Sequence, residues 1–598
     1  ISFSTALKVI YWGLRLDLSA IILINLPLWI YLLFVFPLVR NRKLNMAISL
    51  LLFLLINIPF LALNFIDLAY FNFDLRRSTV DILGVFGDAE HAWGVFFSRY
   101  WYLVGLFILV VVILRLAGRW FLLSAFAQSA GKTKKADSKK WVFVISVFLL
   151  FALLVRGWGV HPLTPATTLL YLPSQYQPVA ENSTITFLYS LIRQQTLLEE
   201  KKYFSANTLD TLMPIRHEFA SAEPFRKKNV IVFVLESFSK GLLEKGSPLK
   251  AQTPFLDSIM SKSILCSNAF ANGLESNKGL VALLEGIPPL MDEAYYYSPY
   301  SNNPIRGIGT ILKEEGYTTH FFMGASPDHF GFGKLCKLVG IDQYYSEKEY
   351  GNPKDHDGTW GIFDHKFLPF AASVLKQKQG PFLSVIFNIS SHHPFTLPVE
   401  LQKQFSLPGQ QPQQNSISYV DYSLRLFFES IRTTEWYRNS IFVFVADHAV
   451  TFDVKPKPVL YTAFQIPFFI HIPGSDSSLQ IDKTVQQLDL VPTVFDLLHY
   501  HQPFMSFGRS IFDSTDAFAV NKIFGNYQLI DEGFLFGYNE QNEQPTYFYN
   551  FRLDPELQND LINEGISRPN REQSERKLKA IIQRFNNSLL KHQLLVQP

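Results

Sequence analysis

The sequence predicts two joined folds: an N-terminal α-helical transmembrane bundle, then an α/β domain with a mostly parallel sheet flanked by helices. Three observations predict this. Apolar runs of bilayer length crowd the first quarter of the chain. From Lys228 onward, short apolar strands alternate with amphipathic helices. Several of those strands run straight into polar residues, as strands do where an α/β sheet binds its ligand. The boundaries that follow are a transmembrane domain over 1–157, a linker over 158–227, a catalytic domain over 228–560 and a C-terminal amphipathic helix over 561–598.

The bulk numbers agree with a split chain. The 598 residues suffice for several domains. Mean hydropathy is only +0.11, because the polar part dilutes the apolar one. A net charge of +3 gives no reason to expect a nucleic-acid partner. Two cysteines, Cys266 and Cys336, provide neither a disulfide framework nor a zinc cluster, and two buried thiols are expected.

Four apolar runs reach bilayer length: residues 19–39, 46–69, 101–116 with its flanks, and 141–155. A partial run over 1–14 reads as the end of another span. The chain begins at Ile1, so an upstream N-terminus is expected, and no cleavable signal peptide is visible. Orientation follows from the lysines and arginines of the short loops. Arg40, Arg42 and Lys43 mark one cytoplasmic loop. Arg115, Arg119, Lys132, Lys134, Lys135, Lys139 and Lys140 mark another. The loop over 71–100 balances Asp74, Asp81, Asp88 and Glu90 against Arg76, Arg77 and Arg99, and belongs outside. Everything after about residue 157 is then extracytoplasmic. The linker carries several prolines and a weak helix over 187–201, which either lies on the bilayer, straps onto the next domain or simply tethers it.

In the catalytic domain the best strands are 230–235, 319–323, 383–388, 441–446 and 467–471. Helices are expected over 253–261, 278–285, 308–315, 367–376, 416–433 and 488–498. One strand ends in Glu236-Ser237, another in Asp447-His448, and a third leads to Ser390-Ser391-His392-His393-Pro394. Each polar group alone reads as a cap or a surface residue. Three such ends on one sheet edge point to a site, and carboxylates with an imidazole suit a divalent ion such as Mn²⁺, Mg²⁺ or Zn²⁺. Ser276 lies where a glycine-bearing polar turn enters an apolar helix. It reads as a cap or first-turn residue, and a helix N-terminus favours phosphate. A metal on its oxygen would make it a nucleophile.

Ordered motifs then carry a family resemblance. They are NVIVFVLESF (229–238), SNKGLVALLEGIPP (276–289), GTWGIFD (358–364), SSHHPF (390–395), YVDYSL (419–424), FVFVADH (442–448), QIPFFIHIPG (465–474), DLVPTVFDL (489–497), FGRS (507–510) and Asp554-Pro555. In this order they resemble the lipoteichoic acid synthase branch of the sulfatase/alkaline phosphatase superfamily, most of all the sulfatase-like membrane proteins of Gram-negative bacteria. The multi-span N-terminal part and its Arg156-Gly157 exit are similar too. The resemblance implies an alkaline phosphatase/sulfatase-like fold. It implies metal binding by Glu236, Ser276, Asp447 and His448, with Mn²⁺ the usual ion and Mg²⁺ or Zn²⁺ as alternatives. Ser276 stands where the family has a nucleophilic Thr. His392 would bind the phosphoryl group or protonate the leaving group. Trp360 and Lys278 are candidate substrate contacts, although a solvated Lys278 is as good a reading.

The same resemblance implies a phosphatidylglycerol-like phospholipid donor, a glycan, lipid or polymer acceptor, and a multi-pass protein of the bacterial inner membrane with its catalytic domain on the outer, periplasmic side. A phosphoglycerol-type head group would pass through a covalent phospho-Ser276. Competing readings are a phosphoethanolamine transferase, a phosphodiesterase, or a non-catalytic binding protein. The family often has His where this chain has Met323, and His329 is a surface residue on the simplest reading. Ser276-Asn277-Lys278-Gly279-Leu280 lacks the Pro and Arg that formylglycine formation needs, which disfavours sulfate ester hydrolysis.

Overall fold

A computed structural model describes residues 3–39, 41–74, 100–129, 138–156, 177–192 and 198–596, with breaks at 220–222, 299, 302, 327–328, 451–458, 476–477, 515–516 and 540, and isolated positions 77, 78, 82 and 172. The chain divides into two compact units, Ile1–Thr196 and Leu197–Pro598.

In the first unit, Lys43–Ala69 and Trp101–Ser124 are long and apolar enough to cross a membrane. Phe3–Ile24 and Leu26–Val35 pass the same test as a pair bent by 54°, and Trp141–Arg156 is a shorter apolar helix. The separate runs expected over 1–14 and 19–39 are thus differently divided. The first helix continues through residue 24, and the chain bends where Pro27 removes a backbone donor. Asn25 beside the bend exchanges amide hydrogen bonds with Asn57, at 3.0 and 2.7 Å. This satisfies two polar side chains within an apolar bundle. Lys132, Lys134 and Lys135, most of the 71–100 loop and much of the linker lie outside the described residues.

The helix expected over 187–201 instead spans Ser183–Ile192. Asn182 starts it, its side-chain oxygen accepting from the N–H groups of Thr184 and Ile185 at 2.9 and 3.1 Å. From residue 198 the chain belongs to the second unit, which divides the expected linker. Lys201 N–H donates to Asn587 Oδ1 at 3.0 Å and Phe204 N–H to Gln583 Oε1 at 2.8 Å. Both acceptors lie on the C-terminal helix Arg568–Leu590. That helix buries Leu578, Ile581, Ile582, Phe585 and Leu589 against the domain.

The second unit is built on an eight-stranded sheet in the order β5-β4-β6-β2-β7-β8-β3-β9. Its members are β2 (Asn229–Leu235), β3 (Ile264–Phe270), β4 (Thr318–Met323), β5 (Gln343–Tyr345), β6 (Phe382–Phe387), β7 (Ser440–Ala446), β8 (Phe468–His471) and β9 (Leu479–Gln486). A two-stranded sheet pairs β1 (Arg216–His217) with β10 (Phe504–Met505). The central strands β6, β2 and β7 run parallel and are wholly buried. That burial on both faces explains their nearly continuous apolar sequences. β8 runs antiparallel to both its neighbours, the exception in a sheet that is mostly parallel as expected. A four-stranded antiparallel sheet completes the unit: β11 (Phe518–Ile523), β12 (Asn526–Asp531), β13 (Phe534–Asn539) and β14 (Pro545–Asn550).

The helix Ser276–Glu285 connects the sheet to the site. Its last residue, Glu285, is buried, and among the described residues no hydrogen bond reaches either carboxylate oxygen or the nearby Tyr295 hydroxyl. Burial pushes the Glu285 carboxyl well above the ordinary range. A raised folded-state pKa means that its stability is intact below the ordinary carboxyl range and declines as pH rises towards the folded pKa, by about 1.4 kcal/mol per pH unit. Glu285→Gln removes that titration. Its denaturation temperature should exceed wild type at pH 8 and converge with it at pH 5. A gap that does not change with pH would refute the buried neutral acid.

Candidate metal centre and active site

β2, β7 and β6 deliver their polar ends side by side. Glu236 follows β2, Asp447 follows β7, and both are buried. One ligand atom each from Glu236, Asp447 and His448 lies within 4.8 Å of the others. His448 Nε2 stands 3.7 Å from Glu236 Oε1 and 3.5 Å from Asp447 Oδ2. The Ser276 hydroxyl donates to Glu236 Oε2 at 3.3 Å. Ser276 is the first residue of its helix, with Glu275 as the cap, so the hydroxyl shares the positive end of the helix dipole.

Glycine makes that approach feasible. A Cβ on Gly279, one turn into the helix, would fall 2.2 Å from the Asp447 carbonyl oxygen. The helix therefore packs its backbone directly on the end of β7.

Three features fit these residues to a divalent cation. Among the described residues no hydrogen bond reaches Asp447 Oδ2, although the atom is buried. Burial, and after it the neighbouring Glu236 carboxylate, push the Asp447 carboxyl up to about 7. His448 Nδ1 lies 3.2 Å from the Ala449 carbonyl, which can only accept, so Nδ1–H donates and Nε2 keeps its lone pair towards the carboxylates. Two carboxylates, an imidazole and a hydroxyl make a hard donor set suited to Mn²⁺, Mg²⁺ or Zn²⁺.

Ser237 also shapes the centre, and sequence reasoning assigned it nothing. It has a left-handed backbone with φ of 60°. Its N–H donates to Asp447 Oδ1 at 2.9 Å and its hydroxyl donates to Glu236 Oε1. One residue thus touches both carboxylates, and local strain of this kind collects at functional sites. Gln487 clamps the β7 end from behind, donating to the carbonyl oxygens of Ala446 and Asp447 at 2.8 and 2.6 Å.

His392 lies half-buried beyond β6, with its ring centroid 4.1 Å from that of Trp360. Its Nδ1–H donates to the His393 carbonyl at 2.7 Å, and Trp360 Nε1–H donates to the same oxygen at 2.6 Å. The Trp360 ring therefore braces the His392 ring and shares its anchor. Burial, opposed by that backbone bond, lowers the His392 pKa to about 4, with the charge of nearby His448 adding to the fall. The ring is neutral at pH 7, with its lone pair on Nε2.

His329 corrects the expectation of a surface histidine. It is 5% exposed, and its ring meets Trp360 edge-on at 5.3 Å. Phe330 and Gly331, both left-handed, turn the chain back at this point. Neither residue at the start of the turn announces that reversal in the sequence. Met323 is buried and takes a hydrogen bond from the Tyr344 hydroxyl. Lys278 pairs with Glu275 at 3.3 Å on the outer side of the helix turn. Cys266 and Cys336 are buried free thiols.

Residues 228–500 match the sulfatase family model. The chain is 22% identical over 401 residues to a lipoteichoic acid synthase of Staphylococcus saprophyticus, covering 62% of this chain and 58% of that one. It is 23% identical over 342 residues to a lipoteichoic acid synthase-like protein of Bacillus subtilis, covering 52% and 55%. The match thus spans little more than half the length of these relatives. Among solved structures, an alkaline phosphatase superfamily protein from Vibrio parahaemolyticus shares the fold with a TM-score of 0.56 at 22% identity, covering 67% of this chain and 95% of that one. A lipoteichoic acid synthase from Listeria monocytogenes gives 0.53 at 19%, covering 64% and 99%.

Proposed function

We propose that this chain is a membrane-anchored, metal-dependent phosphotransferase, a reading supported by the match of residues 228–500 to the sulfatase family model and by the likeness to lipoteichoic acid synthases. It moves a phosphoglycerol-type head group from a phosphatidylglycerol-like donor to an envelope acceptor (a glycan, a lipid or a growing polymer). The reading places the chain in the bacterial inner membrane, with the catalytic domain on the periplasmic side. The observation that carries it is the Ser276 hydroxyl at a helix N-terminus, in hydrogen-bond contact with a buried, carboxylate-rich centre.

Glu236, Asp447 and His448, together with Ser276, are the residues that would hold the ion, with Mn²⁺ the favoured occupant. When bound, a divalent ion there supplies charge stabilisation to the transferred phosphoryl group and favours the Ser276 alkoxide. In the first step Ser276 Oγ forms a bond to phosphorus, and the bond from phosphorus to the diacylglycerol oxygen breaks. That oxygen leaves as diacylglycerol with the proton that Ser276 gave up. In the second step an acceptor hydroxyl attacks phosphorus and the Ser276 ester breaks, and the acceptor's proton passes by way of a base to restore the Ser276 hydroxyl. Two smaller barriers replace one large one.

His392 suits the second step. Its ring is neutral with a free lone pair on Nε2, so it takes the acceptor proton more readily than it gives one to the first leaving group. Trp360 holds that ring in place. Lys278, paired with Glu275, is left outside the chemistry in this reading. His392→Ala should slow turnover by roughly 10²–10⁴-fold, the usual worth of a positioned base. It should also raise the steady-state fraction of modified Ser276. A loss of turnover without that rise would move His392 to the first step.

The direct test of the reading is release of labelled diacylglycerol from phosphatidylglycerol by the full chain with Mn²⁺, against a chelated control. Release from phosphatidylethanolamine alone would favour a phosphoethanolamine transferase instead.

A further inference from the structure

Both backbone polar groups of Glu236 are held from the neighbouring strand. Asn388, the residue after β6, accepts from Glu236 N–H at 3.0 Å through Oδ1. Its Nδ2 donates to Ser391 Oγ at 2.9 Å and to Asp364 Oδ2 at 3.3 Å. Ser391 Oγ in turn donates to the Glu236 carbonyl at 2.7 Å. The peptide that carries the Glu236 carboxylate is therefore fixed on both sides, and Asn388, Ser391 and Asp364 are all buried.

The same cluster controls the turn towards His392. Asp364 accepts from Ser390 N–H at 2.9 Å and from Ile389 N–H at 3.2 Å, and its own N–H donates to Ser390 Oγ at 3.0 Å. His392 N–H closes the turn onto the Ile389 carbonyl at 3.0 Å. Trp360, four residues before Asp364, reaches over the turn to the His393 carbonyl. The segment from Trp360 to Asp364 thus grips this turn at its base and at its tip.

We infer that Asn388, backed by Asp364, is a positioning residue that holds the Glu236 carboxylate and the His392 turn in one fixed arrangement. The inference rests on the metal-dependent reading above. It assigns no chemistry to Asn388, which acts through the residues it orients. Partners of this kind behind a ligand commonly change metal affinity by 10–100-fold when removed.

The fold supplies its own control. Asn229 begins β2 and ties the same strands at their other end. Its Oδ1 accepts from Phe382 N–H at 3.1 Å, and its Nδ2 donates to Ser440 Oγ at 3.3 Å. It is as buried as Asn388 but lies a strand length, about 20 Å, from the carboxylates. A merely structural tie should behave alike at either end.

The test is Mn²⁺ titration calorimetry on the full chain in detergent, with denaturation temperatures measured in parallel. Asn388→Ala should raise the Mn²⁺ Kd roughly 10–100-fold. Asn229→Ala should lower the denaturation temperature comparably and leave the Kd near wild type. Ser391→Ala, which removes the bond to the Glu236 carbonyl and the one accepted from Asn388 Nδ2, should raise the Kd roughly fivefold. It decides the matter if Asn388→Ala does not fold. Equal Kd changes in the Asn388 and Asn229 variants, or no change in the Asn388 and Ser391 variants, would overturn the inference. A wild-type chain that binds none of Mn²⁺, Mg²⁺ and Zn²⁺ would instead overturn the metal-dependent reading, and this inference with it.

Discussion

Ser276→Ala should abolish head-group transfer, lowering kcat by roughly 10⁴-fold or more, as loss of a covalent nucleophile does elsewhere. The change is expected in kcat and not in the affinity for donor lipid, because the hydroxyl acts at the reacting atom. The fold should survive. The side chain is small and its hydrogen bond to Glu236 contributes about 1 kcal/mol. Mn²⁺ should still bind through Glu236, Asp447 and His448, with reduced affinity. Ser276→Thr keeps a hydroxyl at the same helix terminus and should retain most of the rate. Steady-state release of labelled diacylglycerol checks both variants against wild type. An alanine variant that turns over like wild type would remove the covalent step from the mechanism.

Asp447→Asn should separate the stability of the empty centre from that of the filled one. In the metal-free protein the Asp447 carboxyl is raised to about 7 by burial and by Glu236. Its contribution is therefore complete below the ordinary carboxyl range and is lost as pH climbs through about 7. The asparagine variant keeps an oxygen for the N–H groups of Ser237 and His448 and carries no charge. Metal-free, it should denature at a higher temperature than wild type at pH 8 and at a similar one at pH 4. With metal the order reverses. Wild type at a Mn²⁺ concentration 100 times its Kd gains about 2.7 kcal/mol, and the variant gains almost none. Transfer by the variant should fall below detection. A variant stabilised by Mn²⁺ as strongly as wild type would show that the ion binds elsewhere. Thermal denaturation over pH, with and without Mn²⁺, reads both effects.

The centre of the fold was legible because burial on both faces leaves a plain mark. β2, β6 and β7 are nearly continuous apolar runs, and a polar residue after such a run stands at a sheet edge. That placed Glu236, Asp447 and His448 together, and the structure brings them together. The margins of the sheet were not legible. β3 holds Ser267 and Asn268, whose side chains bond to β9 at Asp482 Oδ1 and the Asp482 carbonyl. β9 mixes apolar and polar residues and is largely exposed along its first half, so neither strand reads as a buried apolar run. The supports of the site were silent for a related reason. Asn388, Asp364 and Ser237 are ordinary polar residues in sequence and matter only through partners remote along the chain. His329 reads as surface because nothing in its neighbours signals the left-handed reversal that tucks it against Trp360.

The most direct test of the covalent transfer is mass spectrometry of the Ser276 peptide after the full chain meets phosphatidylglycerol and Mn²⁺. The account predicts a glycerophosphoryl adduct on Ser276, abundant in His392→Ala and absent in Ser276→Ala. Diacylglycerol release with no adduct in any of these proteins, or an adduct on another residue, would contradict it.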